Sequence, residues 1–208
     1  AELDSPCRMV ENCASSNHEM TYRTRVIRSL TELESVRHLW EQRHFHPNSD
    51  MDHFVTVCRL WPQEVLRPHV IIVEAVSGDT VAIVTAREGC ADVTPNIGYM
   101  RGPTLKAKVL NLIHEGTLGK LDSAAADAVL HHVRSFLSTG ECDMAIFSQV
   151  LEKDFLLVRS FQTIPWMWRD SSPAWNLHWE RTLPAKPGFL LEGMKSKHRA
   201  WIKKKIRT

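Results

Sequence analysis

Apolar and polar positions along this chain follow two different periods, and the changes between them mark out the elements. The strongest signal is His69–Arg87, HVIIVEAVSGDTVAIVTAR. Two runs rich in Val, Ile and Thr, Val70–Val76 and Thr80–Thr85, flank Ser77-Gly78-Asp79. Such a short glycine-containing connection joins antiparallel strands. β-Branched side chains pack well on a pleated surface. Both runs are almost continuously apolar rather than alternating, which predicts a hairpin covered on both faces at the centre of a sheet. No residue of this hairpin reads as catalytic.

Upstream, Tyr22–Leu30 reads as a strand with Tyr22, Val26 and Ile27 inward. Thr31-Glu32-Leu33-Glu34 has the form of a capping box with Thr31 as N-cap, and Leu33, Val36, Leu39 and Trp40 then give a helix one apolar stripe. Pro47-Asn48-Ser49 breaks that helix. Met51–Trp61 predicts a second one, carrying Phe54, Val55, Cys58 and Leu60 or Trp61, and Pro62 ends it. Downstream of the hairpin, Asp92–Pro103 is turn-rich and Val109–Ile113 reads as another strand. Asp122 or Ser123 caps a helix with Ala126, Val129, Val133 and Phe136 on one face, and Gly140 supplies its left-handed stop. Met144–Phe147 predicts a short buried strand. Leu151–Phe161 predicts a helix with Leu151, Phe155, Val158 and Phe161 or Gln162 aligned, closed by Pro165. Near Trp175–Trp179, Trp and Leu alternate with Asn176 and His178, which suits a strand with one wetter face. Residues 1–20 are polar and aperiodic and are expected to be loosely ordered. Together these elements predict an α/β (α+β) fold: a mixed sheet flanked by helices on both faces, with parallel neighbours from residue 109 onward and a basic C-terminal helix.

Composition narrows the class. A chain of 208 residues suits one ordinary domain, or one with part of a second, and 43% apolar with 24% charged residues is globular. No apolar run approaches the roughly 20 residues needed to span a bilayer. Residues 1–20 also lack the basic end and apolar middle of a signal peptide. The five cysteines are scattered with no Cys-x-x-Cys, which argues against a disulfide framework or Cys-rich zinc site and for a reducing, cytoplasmic setting. Cys58 and Cys142 lie in apolar surroundings and read as core residues. The net charge of +2 is unevenly placed: Lys195–Arg207 is basic with no acid, so the body carries the acidic excess. A nucleic-acid-binding body is therefore disfavoured. The tail reads first as the start of a domain, with an electrostatic binder of nucleic acid or anionic membrane as the alternative.

Common catalytic signatures are absent: there is no Gly-x-Ser-x-Gly, Gly-x-x-x-x-Gly-Lys-Ser/Thr or Gly-x-Gly-x-x-Gly. The stretch HFHPNSDMDH gathers His44, His46, Asp50, Asp52 and His53, residue types that hold zinc in metal hydrolases. Pro-Asn-Ser separates the two pairs and the stretch joins two helices, so a polar interhelical loop is expected, with a metal site as the alternative. His131 and His132 point about 100° apart on a helix, one toward the core edge and one toward solvent. Trp166, Trp168, Trp175 and Trp179 suit a core or domain interface, or alternatively a sugar- or acyl-binding surface.

The order of these elements over Tyr22–Trp179 resembles the GNAT N-acetyltransferase fold. The stretch Phe189–Arg207, FLLEGMKSKHRAWIKKKIR, is similar to the segment that opens the second half of tandem GNAT proteins. Those are the BioF2-like (CelD-type) acetyltransferases and, more distantly, the FemAB aminoacyltransferases. Ser196, Lys197 and Arg199 carry the motif, followed by Trp201, Ile202 and Ile206. The resemblance implies a GNAT-like N-terminal domain over residues 21–183. It implies that residues 184–208 are a linker and the first helix of a second, truncated GNAT half, cut in mid-helix. It further implies acetyl-CoA or another acyl-CoA as cofactor and a small-molecule, sugar or amine acceptor. The missing C-terminal half would be the partner.

GNAT proteins seat the cofactor's pyrophosphate on backbone amides of a Gln/Arg-x-x-Gly-x-Gly/Ala loop before a helix, where amide donors and the positive dipole end meet. The corresponding place here is His114–Ser123, with Gly116 and Gly119 as cofactor-binding candidates. It lacks the Arg or Gln, and Glu115 and Asp122 oppose an anion. The expectation is a substrate-binding or supporting half that leaves most of the cofactor to the second lobe and is not catalytically competent alone. No residue stands out as catalytic base or oxyanion donor. The alternative is a non-catalytic GNAT-like binding module using its Trp-rich edge.

Overall fold

The computed structural model describes residues 21–43, 46–61, 65–97, 99–148, 150, 152–168 and 195–200. The chain forms two compact units, Ala1–Arg169 and Asp170–Thr208. The first begins with β1 (Tyr22–Ile27), followed by the short helices α1 (Leu30–Leu33) and α2 (Arg37–Glu41), joined by a 3-10 turn at Glu34–Val36. A second 3-10 turn, Pro47–Ser49, leads into α3 (Met51–Leu60). The long hairpin β2 (Val65–Ala75) and β3 (Thr80–Val93) comes next, then a small excursion of β4 (Asn96–Ile97) and β5 (Met100–Arg101). β6 (Leu105–Gly119), α4 (Ser123–Ser138), β7 (Met144–Phe147), α5 (Phe155–Thr163) and a 3-10 turn at Trp166–Trp168 complete it.

The main sheet has the order β1-β2-β3-β6-β7, which puts β3 at its centre. Its pairs are antiparallel except β6 with β7, which run parallel. The hairpin therefore occupies the predicted place. Gly78 closes its turn at φ 94, a left-handed value that glycine adopts without strain. Its N–H donates to Ala75 O at 2.9 Å.

Alternating residues of the central strands feed two cores. Val70, Ile72, Ile83 and Leu118 face the α1–α3 layer and pack on Leu33, Trp40, Met51 and Phe54. Ile71, Val73, Val84 and Leu110 face α4 and pack on Ala126, Val129, Val133 and Phe136. Val70 through Val73 are all fully buried, which is why the sequence there shows no alternation. Each fully buried aliphatic side chain of this kind contributes about 1.5–3 kcal/mol. Trp40 is buried with its indole N–H satisfied by Ser49 O at 2.6 Å, so the α2–α3 corner is pinned as well as packed.

Several local expectations need correction. The first cap is Ser29, whose hydroxyl accepts from Glu32 N at 3.1 Å and meets the Glu32 carboxyl, not Thr31 with Glu34. The helix it opens is broken by its 3-10 turn. Asp122, as anticipated, caps α4, and Gly140 follows its end at φ 75. β3 continues to Val93, into the stretch read as turns, and β6 covers Leu105–Gly119 rather than Val109–Ile113. β7 is half-buried along its length rather than buried. In α5 the inward residues are Leu156 and Ser160, while Phe155 and Val158 are exposed. The Asp154 carboxylate caps this helix, accepting from Leu157 N. Leu151, residues 1–20, and residues 170–194 with the strand expected near Trp175–Trp179 lie outside the described residues.

Candidate functional site

The site is built on an irregularity in β6. Val84 of β3 pairs with Thr117 and Ala86 with Leu112, so residues 113–116 bulge out opposite Thr85 alone. Three features hold the bulge. Thr85 is buried and its hydroxyl donates to Gly116 O at 3.1 Å. Glu115 sits at φ 54, a left-handed conformation unusual for a residue with a side chain. At Gly116 a Cβ would collide with Thr85 Oγ1 and lie 2.8 Å from Ile113 O, so only glycine fits.

Beside the bulge the parallel pairing ends with β7. β6 and β7 are in register from Val109↔Met144 to Leu112↔Phe147 and no further. Beyond that point lies a cleft lined by Thr85, Ile113, Glu115, Thr117, Phe147 and Asp154, among others. It holds about 20 Å³, room for a single ordered water. Asp154 is committed as the cap of α5, accepting from Leu157 N at 3.0 Å.

The stretch holding Gly116 and Gly119, the candidate pyrophosphate cradle, is mostly strand. Gly116 and Gly119 belong to β6, not to a loop, and only Lys120, Leu121 and Asp122 separate the strand from α4. Gly119 is required by its φ of 100 and by Val81 O, which a Cβ would approach to 2.6 Å. The N-terminus of α4 is already occupied: Asp122 Oδ1 accepts from Ala125 N at 2.8 Å, and Tyr22 donates its hydroxyl to Asp122 Oδ2 at 2.7 Å. These bonds, the backbone amide first, hold the Asp122 carboxyl below its usual range. A carboxylate on the helix end takes one of the amide donors and opposes, with its charge, the anion that a pyrophosphate would bring. The residues present do not fit that group.

A second polar cluster lies on the α4 face of the sheet. Burial alone would raise the pKa of Glu88, but bonds from His69, Arg28 and Arg67 outweigh it and bring it down to about 2. Arg28 Nε and Arg67 Nε each donate at 2.7 Å, and His69 Nδ1 lies at 2.8 Å. His69 Nε2 in turn is 3.0 Å from His132 Nε2. Burial, then the charges of His69, His131 and Arg28, push His132 down to about 4, so it is neutral near pH 7. Sequence reasoning separated His131 from His132 correctly but did not foresee the His69 pairing. Its members are 19 and 63 positions apart, and only the sheet brings them together.

The interhelical polar residues are spread over separate tasks. His46 Nδ1 accepts from Asn48 N at 3.1 Å, Asp50 Oδ1 from His53 N at 2.8 Å, and Asp52 accepts from Arg37 at 2.9 Å. Among the described residues no group of three metal-type ligands converges; His44 lies outside them. Trp168 is exposed, while the Trp166 side chain, Trp175 and Trp179 are outside the described residues. Ser196 and Lys197 are exposed and Arg199 half-buried in a short helix, with Arg199 N donating to Lys195 O at 3.1 Å. Trp201, Ile202 and Ile206 are not among the described residues. No described helix is long and apolar enough to cross a membrane.

No protein-family model matches the sequence, and no curated protein matches it. A solved structure described as "Crystal structure of a probable acetyltransferase" aligns with 78% of this chain and 98% of its own, at 11% identity and a TM-score of 0.42.

Proposed function

We propose that this chain is the substrate-binding or supporting lobe of an acyl-CoA-dependent N-acyltransferase of the tandem GNAT type. The observation that carries the reading is that β6 continues through the bulge at residues 113–116 past the end of its parallel partner β7. A strand that outruns its neighbour leaves backbone N–H and C=O groups, which can pair with an extended ligand as an added strand would. The element order and the Ser196, Lys197 and Arg199 motif support the same assignment by resemblance.

The lobe does not read as the seat of the cofactor. Asp122 accepts from the Ala125 amide at the start of α4, where a pyrophosphate would bind. Acyl transfer to an amine needs a base and donors for the oxyanion, and both are assigned to a second lobe. The test is reconstitution: the chain is extended with the catalytic half of a tandem GNAT protein, and amine-dependent release of free thiol from acetyl-CoA is measured. Activity in the extended protein and none in the 208-residue chain is the expected result. Activity of the short chain at the same rate would refute the division of labour.

A second reading, a non-catalytic interaction module, is favoured by one observation. Phe155 and Val158 on α5 and Met167 and Trp168 just after it are all exposed. An extended protein that binds but never transfers an acyl group would point to that reading.

A further inference from the structure

Neighbouring residues of the central strand carry opposite charges into opposite layers, and they are treated very differently. Glu88 enters the α4 layer and is neutralised by Arg28, Arg67 and His69. Arg87 enters the α3 layer. Its Cζ lies 5.0 Å from the centre of the Phe54 ring, and its Nε is inaccessible to solvent and without a hydrogen-bond partner. Among the described residues no carboxylate pairs with it; its polar neighbour is the Cys58 thiol, a weak acceptor. Arg23, Arg25, Arg28, Arg37, Arg67 and Arg159 all have a carboxylate.

A half-buried guanidinium has given up water, and a ring face returns only part of what was lost. Burial indeed pushes the Arg87 pKa down, against the opposing influence of Cys58. Directly across the β3–β6 ladder from Arg87 stands Asn111, which is exposed. Paired residues share a face of the sheet with Cβ atoms roughly 5 Å apart. Arg87 and Asn111 are thus cross-strand neighbours on one face of the sheet, two positions along each strand from Thr85 and Ile113 at the cleft. A planar fork of donors beside a carboxamide matches the two oxygens of a carboxylate or a phosphoryl group.

We propose that Arg87 and Asn111 form a binding site for an oxyanion, a carboxylate or phosphoryl group, carried by the molecule this lobe recognises. The inference deepens the substrate-binding reading by naming the acceptor's chemical class. It is tested by binding, without acyl transfer, so its failure and the failure of the acyltransferase reading are distinguishable.

The experiment titrates the intact chain with inorganic phosphate and, separately, with succinate, using sodium chloride at matched ionic strength as control. Arginine Nε–H resonances and the thermal midpoint are followed. One Nε–H resonance, absent from Arg87→Met, shifts saturably with the preferred anion, and the midpoint rises. Phosphate and succinate distinguish a phosphoryl from a carboxylate ligand. Arg87→Met is more stable than wild type without anion, because an uncompensated charge has gone, and its midpoint no longer responds. Asn111→Ala, an exposed change that leaves the fold intact, weakens the preferred anion several-fold. Wild-type protein that responds to neither anion beyond the chloride control overturns the proposal, as does an unchanged response in Asn111→Ala. If Arg87→Met fails to fold, the wild-type and Asn111→Ala titrations decide the matter.

Discussion

Replacing Glu88 with Gln tests whether the charge cluster on the α4 face holds the fold together. The Glu88 side chain is 4% exposed, whereas Arg28 and Arg67 are 31% and 44% exposed. Its pKa falls from 4.5 to about 2 in the folded protein. That difference is worth about 3 kcal/mol near neutral pH. Removing one member of a buried pair costs about 3–5 kcal/mol when the partner stays dry. Here both arginines can regain water, so the expected loss is about 2–3 kcal/mol. With a urea dependence of about 1–3 kcal/mol per molar, the unfolding midpoint falls by about 1–3 M. The pH dependence supplies the sign. The folded value is the lower one, so the unfolded chain takes up the extra proton. Stability is therefore complete above 4.5 and is lost as pH falls towards 2. Glu88→Gln abolishes that acid limb. It leaves a separate one from His132, whose value drops from 6.5 to about 4 and which makes stability fall across that range. Urea unfolding of both proteins across the acid range is the assay. A loss below about 0.5 kcal/mol, the level of an ordinary surface change, would refute the reasoning. So would an unchanged slope between 4.5 and 2.

Two further changes probe the site. Asp122→Ala removes the cap of α4 and is expected to cost about 1 kcal/mol in urea unfolding, with Asp122→Asn costing less. Gly116→Ala drives a methyl group into Thr85 Oγ1 and is expected to cost about 1–3 kcal/mol. Thr85→Ala in the same chain recovers part of that loss, measured as a double-mutant cycle; strictly additive losses would show that the two residues do not meet.

Some of this architecture is legible in the residues and some is not. The hairpin and α4 declare themselves because each has one simple burial pattern: Val70–Val73 are closed on both sides, and Ala126, Val129 and Val133 repeat at helical spacing between an Asp cap and a left-handed Gly. The bulge is hidden for a physical reason. His114-Glu115-Gly116 has the composition of a turn, and the strand passes through it because Thr85 anchors Gly116 from the neighbouring strand. No local propensity records such a cross-strand bond. The cradle therefore looks like a loop in sequence while most of it is strand. α5 fails differently: Phe155 and Val158 are as well spaced as Leu156 and Ser160, and only the fold decides which pair turns inward. The Glu88 cluster needs residues from β2, β3 and α4 together, and nothing in their spacing announces it.

The central claim of the proposed function is that Asp122 closes the end of α4 to a pyrophosphate. Calorimetric titration of acetyl-CoA into the purified chain tests it most directly. The account predicts no saturable heat. A saturable, micromolar, one-to-one isotherm that free CoA competes away would contradict it.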